Sequence, residues 1–155
     1  MGAVPVSEIM PRIAGRVLVL DPQDRLLMMH AFDPARPAEP FWITIGGGRN
    51  PGEEIRAAAA RELAEEAGIW AAPDQLGDAV WSRECTFSFD GTRYAMYEEY
   101  FLLRVGAVQV SSEGLEQIER QTLLDYHWWS ADEIEASDAV FVPPGLPDLL
   151  RRLTA

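Results

Sequence analysis

Glu62, Glu65 and Glu66 crowd the acidic end of a short helix predicted within the stretch GGGRNPGEEIRAAAARELAEEAGI, Gly46 to Ile69. At about 3.6 residues per turn the three side chains fall within an arc of about 100° on one side. Helix physics works against this placement. The C-terminal end of a helix carries roughly half a negative charge, so carboxylates there are disfavoured. Glu62 and Glu66 are also like charges one turn apart, which costs roughly 0.2–0.5 kcal/mol. A bound divalent cation is the simplest compensation. Oxygen donors converging from one turn suit a hard ion, Mg²⁺ or Mn²⁺, which favours carboxylate and water ligands.

The flanking residues are those needed to hold such a turn in place. Gly46-Gly47-Gly48 and Pro51-Gly52 supply turns before the helix. Ile55, Ala58, Ala59 and Leu63 recur at helical spacing and predict the stripe that faces the core. Gly68 follows the last helical residue, where a left-handed conformation ends a helix. Arg61 stands among the acids and is suited either to orienting them, through Glu53, or to an ordinary surface ion pair.

The run from Gly47 to Ile69 fills every fixed position of the pattern G-x5-E-x7-R-E-U-x-E-E-x-G-U, with U aliphatic: Gly47, Glu53, Arg61, Glu62, Leu63, Glu65, Glu66, Gly68 and Ile69. It closely resembles the signature box of the Nudix hydrolase family. One departure lies upstream: family members often carry proline before the paired glycines, where this chain has Trp42-Ile43-Thr44-Ile45. The resemblance implies a Nudix-type α/β/α sandwich with a mixed β-sheet. It implies a Mg²⁺-dependent hydrolase, with Mn²⁺ as substitute, that cleaves a diphosphate linkage in a nucleoside diphosphate derivative by water attack on phosphorus. It implies Glu62 and Glu66 as principal metal ligands, with a contact from the Gly46 carbonyl. Glu65 is then a further ligand or the general base, and Arg61 orients the carboxylates. Family members recruit one more acid from outside the box. Glu113, Glu116 and Glu119 are candidates, and Glu119 best matches members with a similar WW-S-x-x-E ending, as ligand or base.

Other segments read as alternating strands and helices. Strands are predicted over Ile13–Leu20, Leu26–Met29, Phe41–Ile45, Ala79–Phe89, Thr92–Val105 and Asp125–Trp129. Asp90-Gly91 signals a hairpin. Ser130 to Glu133 reads as a capping box, and a last helix is predicted from Leu146 to Leu153. Ala31 to Pro40, with three prolines, reads as a surface loop. Glu98 falls on a long strand, where it can either reach the site or be an edge-strand charge.

A chain of 155 residues, 48% apolar, reads as one domain over 1–155 with room for a substantial core. No apolar run approaches the roughly 18 residues that span a bilayer, and the N-terminus lacks a basic flank before an apolar stretch. The net charge of −12 argues against anionic membranes and long nucleic acid as partners. The one cysteine, Cys85, cannot pair within the chain, which fits a cytoplasmic setting. All 13 basic residues are arginine, which excludes a P-loop lysine and Schiff-base chemistry. The resemblance also allows a homodimer.

Several residues are suited to substrate contact. Phe32, Phe41, Trp81, Tyr94 and Tyr97 can stack on a base or pack in the core, and Arg49, Arg83 or Arg93 can meet a phosphate. Arg49, Arg83 and Glu98 are taken as the substrate-binding set. Nucleoside triphosphates, oxidised nucleotides, ADP-ribose, dinucleoside polyphosphates and capped RNA ends all fit. Two other readings stand beside hydrolysis. A catalytically silent nucleotide-sensing module would have lost box acids, and an isomerase of isoprenoid diphosphates would want a positioned cysteine, which Cys85 on its strand does not obviously supply. His30 and His127 are given no role.

Overall fold

The computed structural model describes residues 9–155, and of Ile118 the backbone; the N-terminal stretch read above for a leader lies outside these residues. Val17, Leu18, Val19 and Leu20 are all fully shielded from solvent. Successive strand side chains point to opposite faces, so strand β1 (Met10–Leu20) must be covered on both sides. It is. Val17 and Val19 pack with Leu27, Met29 and Ile45 under Ala59, Ala60 and Leu63 of helix α1 (Ile55–Ala67). Leu18 and Leu20 pack with Leu26 and Met28 against Ile134, Leu146, Leu149 and Leu150, which come from α3 (Ala131–Ala136) and α4 (Leu146–Thr154). This is the expected α/β/α layering.

Between the helices lies a curled, mixed sheet of seven strands. The others are β2 (Leu26–Asp33), β3 (Arg36–Gly48), β4 (Trp81–Phe89), β5 (Thr92–Arg104), β6 (Leu123–Trp129) and β7 (Phe141–Val142). They run in the order β4-β5-β1-β2-β3-β7, with β6 on β2 and a further pairing of β1 with β3. β1 is parallel to β5 from Met10↔Tyr94 to Leu20↔Arg104, and antiparallel to β3 from Ala14↔Gly48 to Val17↔Ile45. The second pairing carries the glycine run to the centre of the sheet. α1 can lie close above it because Gly15 has no side chain: a Cβ there would stand 2.5 Å from the Ile55 carbonyl and 2.9 Å from Ala59 Cβ.

Local signals are met where the chemistry is local. Asp90 and Gly91 both take positive φ, 49° and 79°, as a two-residue hairpin turn requires. The Ser130 hydroxyl accepts from the Glu133 N–H at 3.1 Å while Glu133 Oε1 accepts from the Ser130 N–H at 2.9 Å. Two expectations fail. Gly46 to Gly48 is not a turn but the end of strand β3, paired with Arg16, Gly15 and Ala14 of β1. Ala31 to Pro40 is not a loop, because β2 runs to Asp33 and β3 begins at Arg36. The ladder shifts register between Ala31 and Asp33, so Pro37 and Pro40 sit where no ladder N–H is required of them. A 3₁₀ turn at Pro73–Leu76, helix α2 (Gln117–Thr122) and the two-residue β7 were not anticipated, being too short for periodicity to show. β5 lies between β4 and β1, so Glu98 is not an edge-strand charge.

Candidate metal centre

Strand β3 delivers the glycine run to the last turn of α1. The Gly46 N–H donates to Glu66 Oε1 at 2.7 Å. The Glu62 carboxylate rests on the bare Cα of Gly47, where an added Cβ would lie 2.6 Å from its Cδ. Any larger residue at Gly47 would displace this carboxylate. Gly68 takes the left-handed conformation at φ 69° and returns its N–H to the Ala64 carbonyl at 3.0 Å. Two further helix-end carbonyls have partners from outside: Ser111 N–H donates to Ala67 O at 2.9 Å, and the Tyr126 hydroxyl donates to the Glu66 carbonyl.

Arg61 is the hub of the acidic turn. Its Nε and one terminal nitrogen take both oxygens of Glu53, at 3.0 and 2.9 Å, and that nitrogen also donates to the Gly48 carbonyl at 3.0 Å. Its other terminal nitrogen reaches Glu62 at 3.1 Å and Glu65 at 3.3 Å. This ties loop, helix and two site carboxylates together, which a surface ion pair does not do. The Glu53 carboxyl is held below its usual range, chiefly by the Arg61 hydrogen bonds.

Glu119, on α2, joins the cluster from outside the box. One carboxylate oxygen each from Glu62, Glu66 and Glu119 lie within 4.8 Å of one another. Glu65 stays beside Arg61, outside that cluster, although Glu62, Glu65, Glu66 and Glu119 all line one cleft of about 1040 Å³. Ile55 is only half-buried, while Ala58, Ala59 and Leu63 are fully buried as the stripe predicts.

A NUDIX domain family model matches residues 10–149. The chain belongs to the Nudix family. Among solved structures it is similar to the MutT protein of Methanosarcina mazei, at 20% identity and TM-score 0.66 over 95% of each chain. It is likewise similar to the dihydroneopterin triphosphate pyrophosphohydrolase of E. coli, at 21% identity and TM-score 0.66 over 95% of this chain and 99% of that one. A third is the bifunctional NMN adenylyltransferase/ADP ribose pyrophosphatase of Francisella tularensis, complexed with AMP and a manganese ion, at 18% identity and TM-score 0.61. That match covers 93% of this chain and 41% of the other. At these identities the likeness is one of fold. A comparison with curated proteins finds no significant match.

The donor set of this Nudix site fits a divalent cation. Glu66 is only 5% exposed. Its carboxyl is pushed well above the usual range, first by burial and then by the charge of Glu62, against the opposing pull of Arg16 and the Gly46 N–H. Glu62 is pushed up by burial and by Glu65, with Arg61 opposing. Three crowded oxygens, two of them on acids that resist ionising, are what a hard cation relieves.

The remaining candidates separate cleanly. Arg49, Arg83 and Glu98 line the cleft, as do Phe32 and Phe41, joined by Phe87 and Phe89. Trp81 is elsewhere, packed on Tyr100 at 4.9 Å in the second core, and Tyr94 stacks on Phe87 at 5.2 Å. Cys85 also borders the cleft, but burial pushes its thiol up, the wrong direction for a nucleophile. Glu98 is 2% exposed and bonded by Arg16, Arg83 and Tyr100, so it is neither an edge charge nor a free substrate contact. Sequence reasoning missed Arg16 and Tyr126. Arg16 did leave a signal, as the one charge within the apolar strand Ile13 to Leu20. Among the described residues no helix is long and apolar enough to cross a membrane.

Proposed function

We propose that this chain, acting as one domain, is a divalent-cation-dependent hydrolase that cleaves the diphosphate linkage of a nucleoside diphosphate derivative by water attack on phosphorus. The observation that carries the reading is the convergence of Glu62, Glu66 and Glu119 within 4.8 Å at the wall of a cleft that also holds phenylalanines and arginines. Glu62, Glu66 and Glu119 hold the cation, Mg²⁺ or Mn²⁺ in its place, with the Gly46 carbonyl as a further oxygen donor. When bound, the cation neutralises phosphate oxygens and acidifies a water.

The protein's own groups do the rest. Glu65, left outside the cluster with only long bonds to Arg61, is assigned as the base that accepts the proton of the attacking water, a role worth roughly 10²–10⁴-fold. Arg61 keeps Glu62 and Glu65 oriented from the Glu53 side. Arg49 and Arg83 face the phosphates, and Phe32 and Phe41 offer faces on which a base stacks. Relatives of this fold named for dihydroneopterin triphosphate and ADP ribose support a nucleotide-like ligand.

The test is a panel of nucleoside diphosphate derivatives assayed with Mg²⁺, with Mn²⁺ and in excess EDTA. Cleavage between phosphorus atoms is expected with either ion and none in EDTA. Undiminished turnover in EDTA, or no turnover on any member with metal present, overturns the reading.

A further inference from the structure

Glu98 is a carboxylate at 2% exposure with both oxygens committed. Oε2 accepts from Arg16 Nε at 2.8 Å, and Oε1 accepts from Arg83 Nε at 2.7 Å and from the Tyr100 hydroxyl at 3.1 Å. The two arginines lead to different places. Arg16, itself only 9% exposed, donates through one terminal nitrogen to the carbonyls of Thr44 at 3.2 Å and Gly46 at 2.9 Å. Gly46 in turn donates its N–H to Glu66. Arg83 lines the cleft and bonds Glu98 through Nε alone; its terminal nitrogens have no partner among the described residues. Two guanidinium groups against one carboxylate leave a net positive charge in the wall of a strongly acidic protein. A guanidinium whose Nε side is anchored presents its remaining N–H groups as a planar edge, the shape that meets paired phosphate oxygens.

We infer that Glu98 is a positioning residue that aims the free edge of Arg83 at a substrate phosphate and, through Arg16, holds Gly46 and the adjoining Glu66 in place beside it. The inference rests on the function proposed above and assigns the site a contact for diphosphate oxygens on the β4 wall, opposite in origin to the box. It separates Glu98, which acts through other residues, from Arg83, which touches the ligand. The two arms also differ in reach: losing Arg83 affects the diphosphate alone, whereas losing Glu98 affects the diphosphate and the metal ligands together.

The experiment is calorimetric titration of methylenediphosphonate, a diphosphate that cannot be hydrolysed, into the Mg²⁺-loaded parent, Arg83→Gln, Glu98→Gln and the double variant, with Mn²⁺ alone titrated in parallel. Arg83→Gln should weaken diphosphonate binding about 10- to 100-fold, as for lost hydrogen bonds to a charged group, with Mn²⁺ binding unchanged. Glu98→Gln should weaken the diphosphonate at least as much and also weaken Mn²⁺, and the double variant should be no worse than Glu98→Gln. Additive losses in the double variant, or parental diphosphonate affinity in Glu98→Gln, overturn the inference. Should Glu98→Gln fail to fold, Arg83→Gln and Arg83→Lys decide: parental affinity in either overturns it, because lysine keeps the charge but not the anchored edge. A parent that binds no diphosphonate and cleaves nothing in the panel instead sinks the function proposed above.

Discussion

Glu66 is caught between two demands: the role proposed above needs it ionised to hold a cation, yet it sits buried against Glu62. Its folded carboxyl titrates above the unfolded one. The stability it contributes is therefore fully present below the ordinary carboxylate range and is lost as pH rises through the folded value. Glu66→Gln keeps the shape and the acceptor for the Gly46 N–H while removing the charge. In EDTA the variant should unfold at or above the parent's temperature, with its advantage widening from pH 5 to pH 8. Turnover with Mg²⁺ should nonetheless fall roughly 100-fold or more. Thermal unfolding across pH beside a turnover assay checks both halves. A variant that melts well below the parent in EDTA but keeps its turnover would make the acidic cluster structural.

At the scale of elements, the site depends on where α1 stops. Gly68 at φ 69° ends the helix just past the acids, and a Cβ there would also approach Ser111 Cβ at 3.0 Å. Gly68→Ala should cost about 1–2 kcal/mol, the penalty of a left-handed conformation for a side chain with no local hydrogen bond. Gly68→Asn should recover part of that loss, since asparagine tolerates this conformation. Urea unfolding of the three proteins in EDTA measures the series, and an alanine variant as stable as the parent would show that the turn does not need glycine. The same helix end is braced by Tyr126 and Ser111 from segments far along the chain, so α1, β6 and the stretch before α2 act as one unit in placing Glu66 and Glu119.

For the whole molecule, cation binding and folding should be linked. The crowded acids repel one another, so on the function proposed above Mg²⁺ or Mn²⁺ should raise the unfolding temperature, and go on raising it with the logarithm of cation concentration after the site is full. At a hundred times the dissociation constant the stabilisation is about 2.7 kcal/mol. The Glu62→Gln/Glu66→Gln double variant should lose this dependence. An equal rise in the double variant would place the bound cation elsewhere. The overall charge of −12 sets the wider field, and because acids stand beside the arginines in the cleft, an anionic ligand should bind far better with the cation than in EDTA.

The box residues, the helix they ride on and its glycine stop were legible in the sequence. All lie in one contiguous stretch, where helical periodicity alone fixes which side chains share a face. The hairpin at Asp90-Gly91 and the Ser130 cap were legible for the same local reason. The tertiary structure decided that Glu119 rather than Glu65 joins Glu62 and Glu66 in one cluster, since α2 is set in place by the stretch before it, which meets the end of α1 through Ser111 and Gly114. It decided which phenylalanines line the cleft, because that depends on the curl of the sheet and not on any strand by itself. It also tied Glu98 to Arg16, a residue 82 positions away. No local pattern encodes that pairing. It exists because β1 and β5 lie side by side in parallel register, with Ala14 opposite Glu98 and Arg16 opposite Tyr100, and a buried charge in such a place persists only when its partner is brought to it.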